Sequence, residues 1–464
     1  MSDFPPVFAG TRFAVVGLGR NGLPVARALV GMGADVMAWD DDGAARAALN
    51  PSPYPLPQGE GGLHGGVPPP LEGGGQGEGI AVRPPNRSDH LDALILSPGI
   101  PHRLPSPHPL ATLAIEQGWP ILSDAELLFR AVRAAGSRAR FVGITGTNGK
   151  STTTALLAHI LETAGIEVAA GGNLGTAALA LPLLSDGGVY VLEMSSYMLE
   201  RLASLRFDVA AMLNLSPDHL DRHRDMAGYV AAKRAVFARQ TAEDLAIVGV
   251  DDAPGVLTAA WLRTRDARVL TVSGATRLRM EAPALPGAHN AQNAAAATAM
   301  ATALGATPAD IARGIAGFPG LPHRQRVVGH VEGIAFIDDS KATNADAAAR
   351  ALGCYERIVW IAGGQAKANG IAPLAPYFPR IARALLIGRD APMLAATLAA
   401  HKVAFDVVGT LDEAVPHALA AAHASNAVVL LSPACASFDQ FSGFEARGLR
   451  FAALVAGLAR ERAA

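Results

Sequence analysis

The chain has 464 residues, 50% of them hydrophobic, 17% charged and 5% aromatic, which supports several packed cores and argues against disorder throughout. Its 39 Lys and Arg nearly balance 41 Asp and Glu, leaving a formal charge of -2. That balance argues against a basic nucleic-acid groove or a polybasic membrane patch as the main site and leaves small charged ligands open.

The N-terminus, MSDFPPVFAG, lacks a basic lead followed by an apolar core. No later run reaches the roughly 18 apolar residues that span a bilayer, so a cytoplasmic enzyme without membrane insertion is expected. RFAVVG at 12–17 reads as a buried strand, followed by a helix from Leu23 to Met32 and a second strand in ADVMAWD, which is βαβ grammar. Residues 51–80, rich in glycine and proline, read as a flexible insertion, because glycine raises the entropy of ordering and few large side chains offer burial in return. LDALILSPG at 91–99 reads as another strand ending in a turn, with a helix near Pro109–Gln117.

A second strand-to-loop start follows at FVGITG, and VYVLEMS, VAAMLNLS and LAIVGV continue an α/β alternation. GAHNAQNAA opens a small-residue helix that continues to about Leu304. After LPHR, the strands IAFIDD, RIVWIAGG, ARALLIG and AVVLLSP alternate with alanine-rich helices. The expected fold is therefore α/β in three domains. These are a Rossmann-like N-terminal domain (1–138), a central P-loop ATPase-like domain (139–320) and a C-terminal dinucleotide-binding-like domain (321–464). Cys354 and Cys435 are too few for a disulfide scaffold, lack the spacing of a metal centre, and read as buried free thiols.

Gly17, Gly19 and Gly22 form G-x-G-x-x-G directly after the first strand, a spacing that permits a tight turn and close approach of a diphosphate to a helix N-terminus. Asp40, Asp41 and Asp42 stand where such a domain offers a ribose-binding acid. The pattern leaves NAD, FAD and a UDP-linked substrate open, beside a purely structural turn. SPGIP at 97–101 reads either as a second amide cluster beside the ligand or as a proline-stiffened turn.

GITGTNGKSTTT at 143–154 is the strongest segment: Gly146 and Gly149 allow a curled loop, Lys150 can hold outer phosphates, and Ser151 can ligate magnesium. Ile144 stands where the strict phosphate-loop pattern opens with glycine. Glu193 ends an apolar strand, where a carboxylate can bind magnesium directly or through water. Asn214, Asp218, His219 and Asp221 form a polar cluster after the next strand. Lys233 sits on an expected helix, and by residue type alone it is a solvent-facing lysine.

His289 and Asn290 suit either adenine contact or helix capping, and Arg324 either a phosphate clamp or an ion pair. DDSKATN (338–344), GGQAKANG (363–370) and LSPACASFDQFSGFEARG (431–448) each follow a strand, so three strand ends can serve one site.

In combination, GLGRNG, SPGIP, TGTNGKST, GGNLG, LEMSSYMLE, NLSPDHLDRH, AAKRAVF, GAHNAQNA, GLPHR, DDSKATN and SPACASFDQF resemble the landmarks of the Mur ligases, through all three expected domains. DDSKATN with SPACASFDQF resembles most closely the members that add D-glutamate. The resemblance implies that the first domain binds the UDP part of UDP-N-acetylmuramoyl-L-alanine rather than NAD, the middle one ATP, and the last one D-glutamate. It implies substrate contacts from Gly19, Arg20, Asn21, Asp40, Asp41, Gly99, Asn173 and Ser195. Gly146, Thr147, Asn148, Gly149, Lys150, Ser151, Thr152, Asn290, Arg324 and Asp339 match ATP-contacting positions.

Ser151, Glu193, His219 and Lys233 match the positions that hold Mg2+ at two sites, the second through a carbamate on Lys233, which an unmodified lysine cannot supply. Lys341, Thr343, Lys367, Ser437, Phe438 and Phe444 match the amino-acid and reaction side. The catalytic set the resemblance implies is Lys150, Glu193, His219, Lys233, Lys341 and Lys367. The family's usual GGDGKGAD is here GGQAKANG, so Gln365, Ala366, Ala368, Asn369 and Gly370 depart from it while Lys367 remains.

The expected reaction is ATP-dependent amide formation through an acyl phosphate in the cytoplasmic stage of peptidoglycan synthesis, carried out by a monomer. A Mur ligase adding another amino acid and a non-catalytic dinucleotide-sensing scaffold are the alternatives.

Overall fold

The computed structural model describes residues 4–49, 79–173, 175–265, 267–275, 282, 284–367 and 370–463. The expected insertion at 51–80 lies outside them except at its end, where Ile80 already belongs to a strand. Ala368 and Asn369 of GGQAKANG also lie outside them.

The chain forms two compact units. One runs to Ser273 and takes in Ala295–Gly314; the other comprises Gly274–Ala294 and Ile315 to the C-terminus. The first unit carries two parallel sheets. Strands β1 (Arg12–Val16), β2 (Asp35–Trp39), β3 (Ile80–Val82), β4 (Ala93–Leu96) and β5 (Ile121–Leu122) pair in the order β3-β2-β1-β4-β5.

Alternation of side chains across the sheet explains the unbroken apolar run in β1: Phe13 and Val15 join one buried cluster, Ala14 and Val16 the other. The strand order reverses between β1 and β4. The loops after those two strands therefore border the crevice in which an open parallel sheet binds ligands. The short β3 and β5 had no apolar run to announce them.

The second sheet contains β6 (Arg140–Thr145), β7 (Val168–Gly172), β8 (Val189–Glu193), β9 (Val209–Met212), β10 (Leu245–Gly249) and β11 (Arg268–Val272), ordered β11-β10-β9-β6-β8-β7 and parallel throughout. Its central strands β6, β8 and β9 are almost wholly buried; the Gly146–Lys150 loop and the Asn214–His219 segment follow the C-terminal ends of β6 and β9, and Glu193 is the last residue of β8. One apolar core continues from the first sheet to the second, with Leu29, Phe141, Tyr190 and Met212 in the same cluster. Glu126 is fully buried within this unit, because the backbone N–H groups of Ala203, Ser204 and Leu205 and the Ser204 hydroxyl all donate to its carboxylate.

The second unit holds β12 (Arg326–Val331), β13 (Ile334–Asp338), β14 (Ile358–Gly363), β15 (Ile381–Ile387), β16 (Phe405–Gly409) and β17 (Val428–Leu431), ordered β12-β13-β17-β14-β15-β16. Only the β12–β13 pair is antiparallel. Trp360 and Leu386 pack on one face and Val359 and Leu385 on the other, which again accounts for strands apolar on both sides. Cys435 is buried, as its residue type suggested, whereas Cys354 is only half-buried. Among the described residues no helix is long and apolar enough to cross a membrane.

Candidate active site

The glycine fingerprint folds as a tight strand-to-helix turn. Gly17 has φ +89, and a Cβ there would lie 2.7 Å from Ile100 and 2.8 Å from Ser97; a Cβ on Gly22 would lie 1.7 Å from the Gly17 carbonyl oxygen. Gly19 has nothing within 4 Å of its Cβ position and lines a cleft of about 490 Å³ with Arg20, Asn21, Asp40, Asp41, Ser97, His108 and Asn173.

Both oxygens of Asp40 accept backbone hydrogens, from Leu18 N at 2.6 Å and Asp42 N at 2.9 Å, so this acid shapes the loop while lining the cleft with acceptor capacity to spare. Asp41 accepts from Trp39 Nε1 and pairs with His108 Nε2 at 3.1 Å; the His108 bond is the largest cause holding its carboxyl below the usual range. His108 Nδ1 accepts from Leu110 N, which places the ring proton on Nε2 facing Asp41. His108 escaped the sequence reading; the histidine before Pro109 at a helix start was its only signal.

A second cleft, of about 310 Å³, abuts the first: both are lined by Pro98 and Asn173, and this one adds Gly99, Lys150, Ser195, Tyr197, Asp218, His219, Tyr229 and Lys233. Gly149, in the left-handed region at φ +85, turns the loop into the helix Lys150–Thr163. Asn214 braces that loop. Its Oδ1 accepts from Asn148 N at 3.0 Å, its Nδ2 donates to Asn148 O at 3.1 Å, and its carbonyl accepts from Thr147 N at 2.8 Å.

Lys150 Nζ donates to the loop's own carbonyls, Gly146 O at 3.0 Å and Thr147 O at 2.8 Å; a bound phosphate offers the same amine a charged acceptor. Ser151 is buried on the first helical turn, and Thr152 is half-buried beside it.

Glu193 ends β8 and is 2% exposed. Its Oε1 accepts from Asn173 Nδ2 at 2.8 Å, while Oε2 is buried without a hydrogen-bond partner. An unsatisfied buried carboxylate oxygen is costly, and a hard cation beside it removes that cost. Among the described residues no three His, Cys, Asp or Glu side chains gather as a metal centre, so a cation here would rest on a mixed set of carboxylate, hydroxyl, imidazole and water.

His219 is half-exposed, in the left-handed region at φ 53, with its ring 5.2 Å from that of Tyr197. Ser195 uses its hydroxyl to cap the short helix Ser196–Leu199.

Lys233 overturns the solvent-facing expectation. It is 2% exposed, with Nζ donating to Gly146 O at 2.9 Å and lying 4.8 Å above the Tyr229 ring. Burial, followed by the nearby Lys150 charge, holds its pKa well below the ordinary lysine value. That shift favours the neutral, nucleophilic form of the amine over what an exposed lysine would show. Tyr229 and Tyr197, which the sequence reading did not select, form walls of this cleft.

The second unit collects the remaining residues. Asn290, near the start of the helix Ala288–Ala303, is buried, donating to Pro286 O and accepting from Asn293. Lys341 Nζ lies 4.7 Å over the Phe444 ring, and Thr343 is half-buried on the same turn. Buried Arg447 donates to Ser340 Oγ, Ser340 O and Cys435 O, tying the DDSKATN and SPACAS loops together. Gln365 and Ala436 exchange backbone bonds and hold GGQAKANG to the same loop, with Lys367 exposed, Ser437 buried and Phe438 69% exposed.

Asp339 accepts from Ser432 Oγ at 2.7 Å and Gln325 N; burial pushes its pKa up to about 7 against the opposing Ser432 bond and Arg324 charge. A carboxyl raised in this way contributes stability below its unfolded pKa and loses it as pH rises through about 7. Asp339→Asn is expected to gain stability relative to wild type between pH 5 and pH 8, by on the order of 2 kcal/mol. A thermal-melt difference that stays constant over that range would count against it.

Two parallel sheets and a third, mixed one, with a glycine-rich strand-to-helix loop at Gly146–Ser151 and a buried lysine, are consistent with a ligase of the Mur class, which the comparisons show. The Mur ligase middle-domain profile matches residues 144–283, and the profile described as Mur ligase, glutamate ligase domain matches 323–435. The chain is 47% identical to the UDP-N-acetylmuramoylalanine--D-glutamate ligase of Paramagnetospirillum magneticum and 46% to that of Rhodospirillum rubrum. These alignments cover 97% and 98% of this chain and 97% of each relative.

Among solved structures, the UDP-N-acetylmuramate-alanine ligase of Thermotoga maritima matches 96% of this chain and 99% of its own at TM-score 0.56 and 18% identity, a likeness of fold. The chain belongs to the Mur ligase family, in the group of UDP-N-acetylmuramoylalanine--D-glutamate ligases.

Proposed function

We infer that this ATP-dependent ligase joins the amino group of D-glutamate to the L-alanyl carboxylate of UDP-N-acetylmuramoyl-L-alanine, in the cytoplasm and as a monomer. The observation that carries the reading at the level of residues is the pair of clefts sharing Pro98 and Asn173, one at the glycine turn and one at Lys150, His219 and Lys233, with Glu193 bonded to the shared Asn173. We assign residues 1–138 to the UDP substrate, 139–320 to ATP on a P-loop, and 321–464, a dinucleotide-binding-like domain, to D-glutamate.

A free carboxylate resists amine attack because its anion is resonance-stabilised. A carboxylate oxygen of the substrate attacks the terminal phosphorus of ATP, ADP leaves, and an acyl phosphate forms. The neutral amine of D-glutamate then attacks the acyl carbon, and collapse of the tetrahedral adduct releases phosphate and leaves the amide; the amine's proton goes to solvent.

In this assignment Lys150 and the loop amides from Gly146 to Ser151 bind the transferring phosphoryl group, and Thr152 supports their helix turn. Asn290, Arg324 and Asp339 serve the nucleotide. Lys341, Thr343, Lys367, Ser437, Phe438 and Phe444 form the amino-acid platform. Gly19, Arg20, Asn21, Asp40, Asp41, Gly99, Asn173 and Ser195 form the UDP-sugar wall.

Ser151, Glu193 and His219, with a carbamate on Lys233, would hold Mg2+ at two sites, which when bound neutralises phosphate charge. The orphaned Glu193 oxygen and the buried amine of Lys233, its pKa lowered by burial, suit those roles.

The test is product formation. With ATP, Mg2+ and D-glutamate, mass spectrometry should detect UDP-N-acetylmuramoyl-L-alanyl-D-glutamate together with ADP, and no product with L-glutamate. Product with L-lysine or meso-diaminopimelate instead would reassign the amino acid, and folded protein giving no product would reject the reading.

A further inference from the structure

Arg201 follows the segment whose Ser195, Ser196 and Tyr197 line the Lys150 cleft. Its side chain is 3% exposed. Where a buried guanidinium ordinarily meets a carboxylate, this one meets the turn after β4: NH1 donates to Leu96 O at 2.8 Å and Ser97 O at 3.4 Å, NH2 to Ile100 O at 2.5 Å, and Nε to His102 Nδ1 at 3.3 Å.

The same turn is tied to the glycine loop, because Ser97 Oγ donates to Gly17 O at 2.7 Å and Ser97 N to Val16 O at 2.9 Å. Pro98, at the middle of the gripped segment, is one of the residues shared by both clefts. A second arginine acts on the turn's other side: Arg222, stacked 4.2 Å over the Tyr197 ring, donates to Gly99 O at 3.1 Å. Every bond in this chain of contacts lies within the first compact unit.

Backbone carbonyls of a loop have no fixed place of their own, and a planar five-donor group can impose one on several of them at once. Removing the guanidinium takes the shared donor from Leu96 O and Ile100 O and leaves Ser97 O with only the Ile100 N–H, so the turn is free to shift to recover partners. A shift of the turn changes where the first cleft ends relative to the second.

We propose that Arg201 is a positioning residue for the ligation: it holds the Leu96–Ile100 turn against the Ser195–Tyr197 wall and so sets the alignment of the UDP-substrate cleft with the Lys150–Lys233 cleft. This rests on the functional reading above. Arg201 touches no reacting atom. Its effect falls on the placement of the carboxylate that receives the phosphoryl group, and a misplacement of about 1 Å is enough to slow such a reaction about a hundredfold.

The experiment compares wild type, Arg201→Gln, Arg201→Lys and Glu126→Gln. Glu126 braces the neighbouring residues 203–205 without touching the turn, so it reports a purely structural loss. Titration calorimetry gives the Kd of UDP-N-acetylmuramoyl-L-alanine and of ATP, and steady-state assays give kcat.

Arg201→Gln is expected to raise the Kd of the UDP substrate about tenfold and lower kcat about a hundredfold, with the ATP Kd within about twofold and Arg201→Lys intermediate. Glu126→Gln is expected to lower thermal stability without that selectivity. If Arg201→Gln does not fold, Arg201→Lys carries the comparison. Unchanged binding and kcat in a folded Arg201 variant, equal losses for both ligands, or the same selective pattern in Glu126→Gln would overturn the proposal. Wild type that fails to bind the UDP substrate at all would instead refute the functional reading.

Discussion

Lys233→Ala is expected to lower kcat by about a thousandfold or more while leaving the fold intact, the largest single loss in this protein. The side chain is buried against Gly146 O and the Tyr229 ring, and its amine has been pushed toward neutrality. A neutral amine is what reacts with carbon dioxide: nitrogen attacks the carbon, one proton leaves, and a carbamate with two new oxygens results.

The sign of the pH effect follows from the lowered pKa. The neutral amine, and with it any carbamate formed on it, should persist to lower pH than an exposed lysine would allow, and be lost once the amine is protonated. Two readouts separate this role from packing. Labelled bicarbonate should give a protein-bound carbamate carbon by NMR in wild type and none in Lys233→Ala, and a small added carboxylic acid should return part of the lost activity. Full activity of Lys233→Ala without bicarbonate or such an acid would end the carbamate assignment.

Glu193→Gln is expected to reduce kcat about a hundredfold to ten-thousandfold while thermal stability holds or rises. The amide retains the oxygen that accepts from Asn173 Nδ2, and it replaces the buried, unpartnered Oε2 with a neutral group. Stability and activity therefore move in opposite directions, as they do where a strained group serves a ligand. Activity should also require much more Mg2+ for half-saturation. A variant with the wild-type magnesium dependence would remove Glu193 from the metal set.

Asp339 and Lys233 show where sequence reading stops. Both stood in motifs that named their chemistry, yet residue type placed the lysine in solvent and could not assign the aspartate a pKa. Asp40 adds a role that spacing did not show: beside lining the first cleft, it accepts backbone N–H groups on both its oxygens. His108 joined the first cleft from a proline-rich stretch whose one signal, a histidine before Pro109 at a helix start, speaks of capping and not of a ligand. Arg201 lies beside a recognised motif, but its partners are 99 to 105 residues away in sequence.

What the residue order determined by itself is therefore local. Strands buried on both faces must be continuously apolar, and turns as tight as those at Gly17, Gly22 and Gly149 admit no side chain or demand a positive φ. These requirements are written in a few adjacent residues and can be read without a partner. The tertiary structure alone decided that Glu193 keeps an unsatisfied oxygen, that Lys233 is buried at the edge of a cleft, and that two clefts meet at Pro98 and Asn173. Desolvation and hydrogen-bond satisfaction depend on which distant segments close over a group, and no local pattern carries that information.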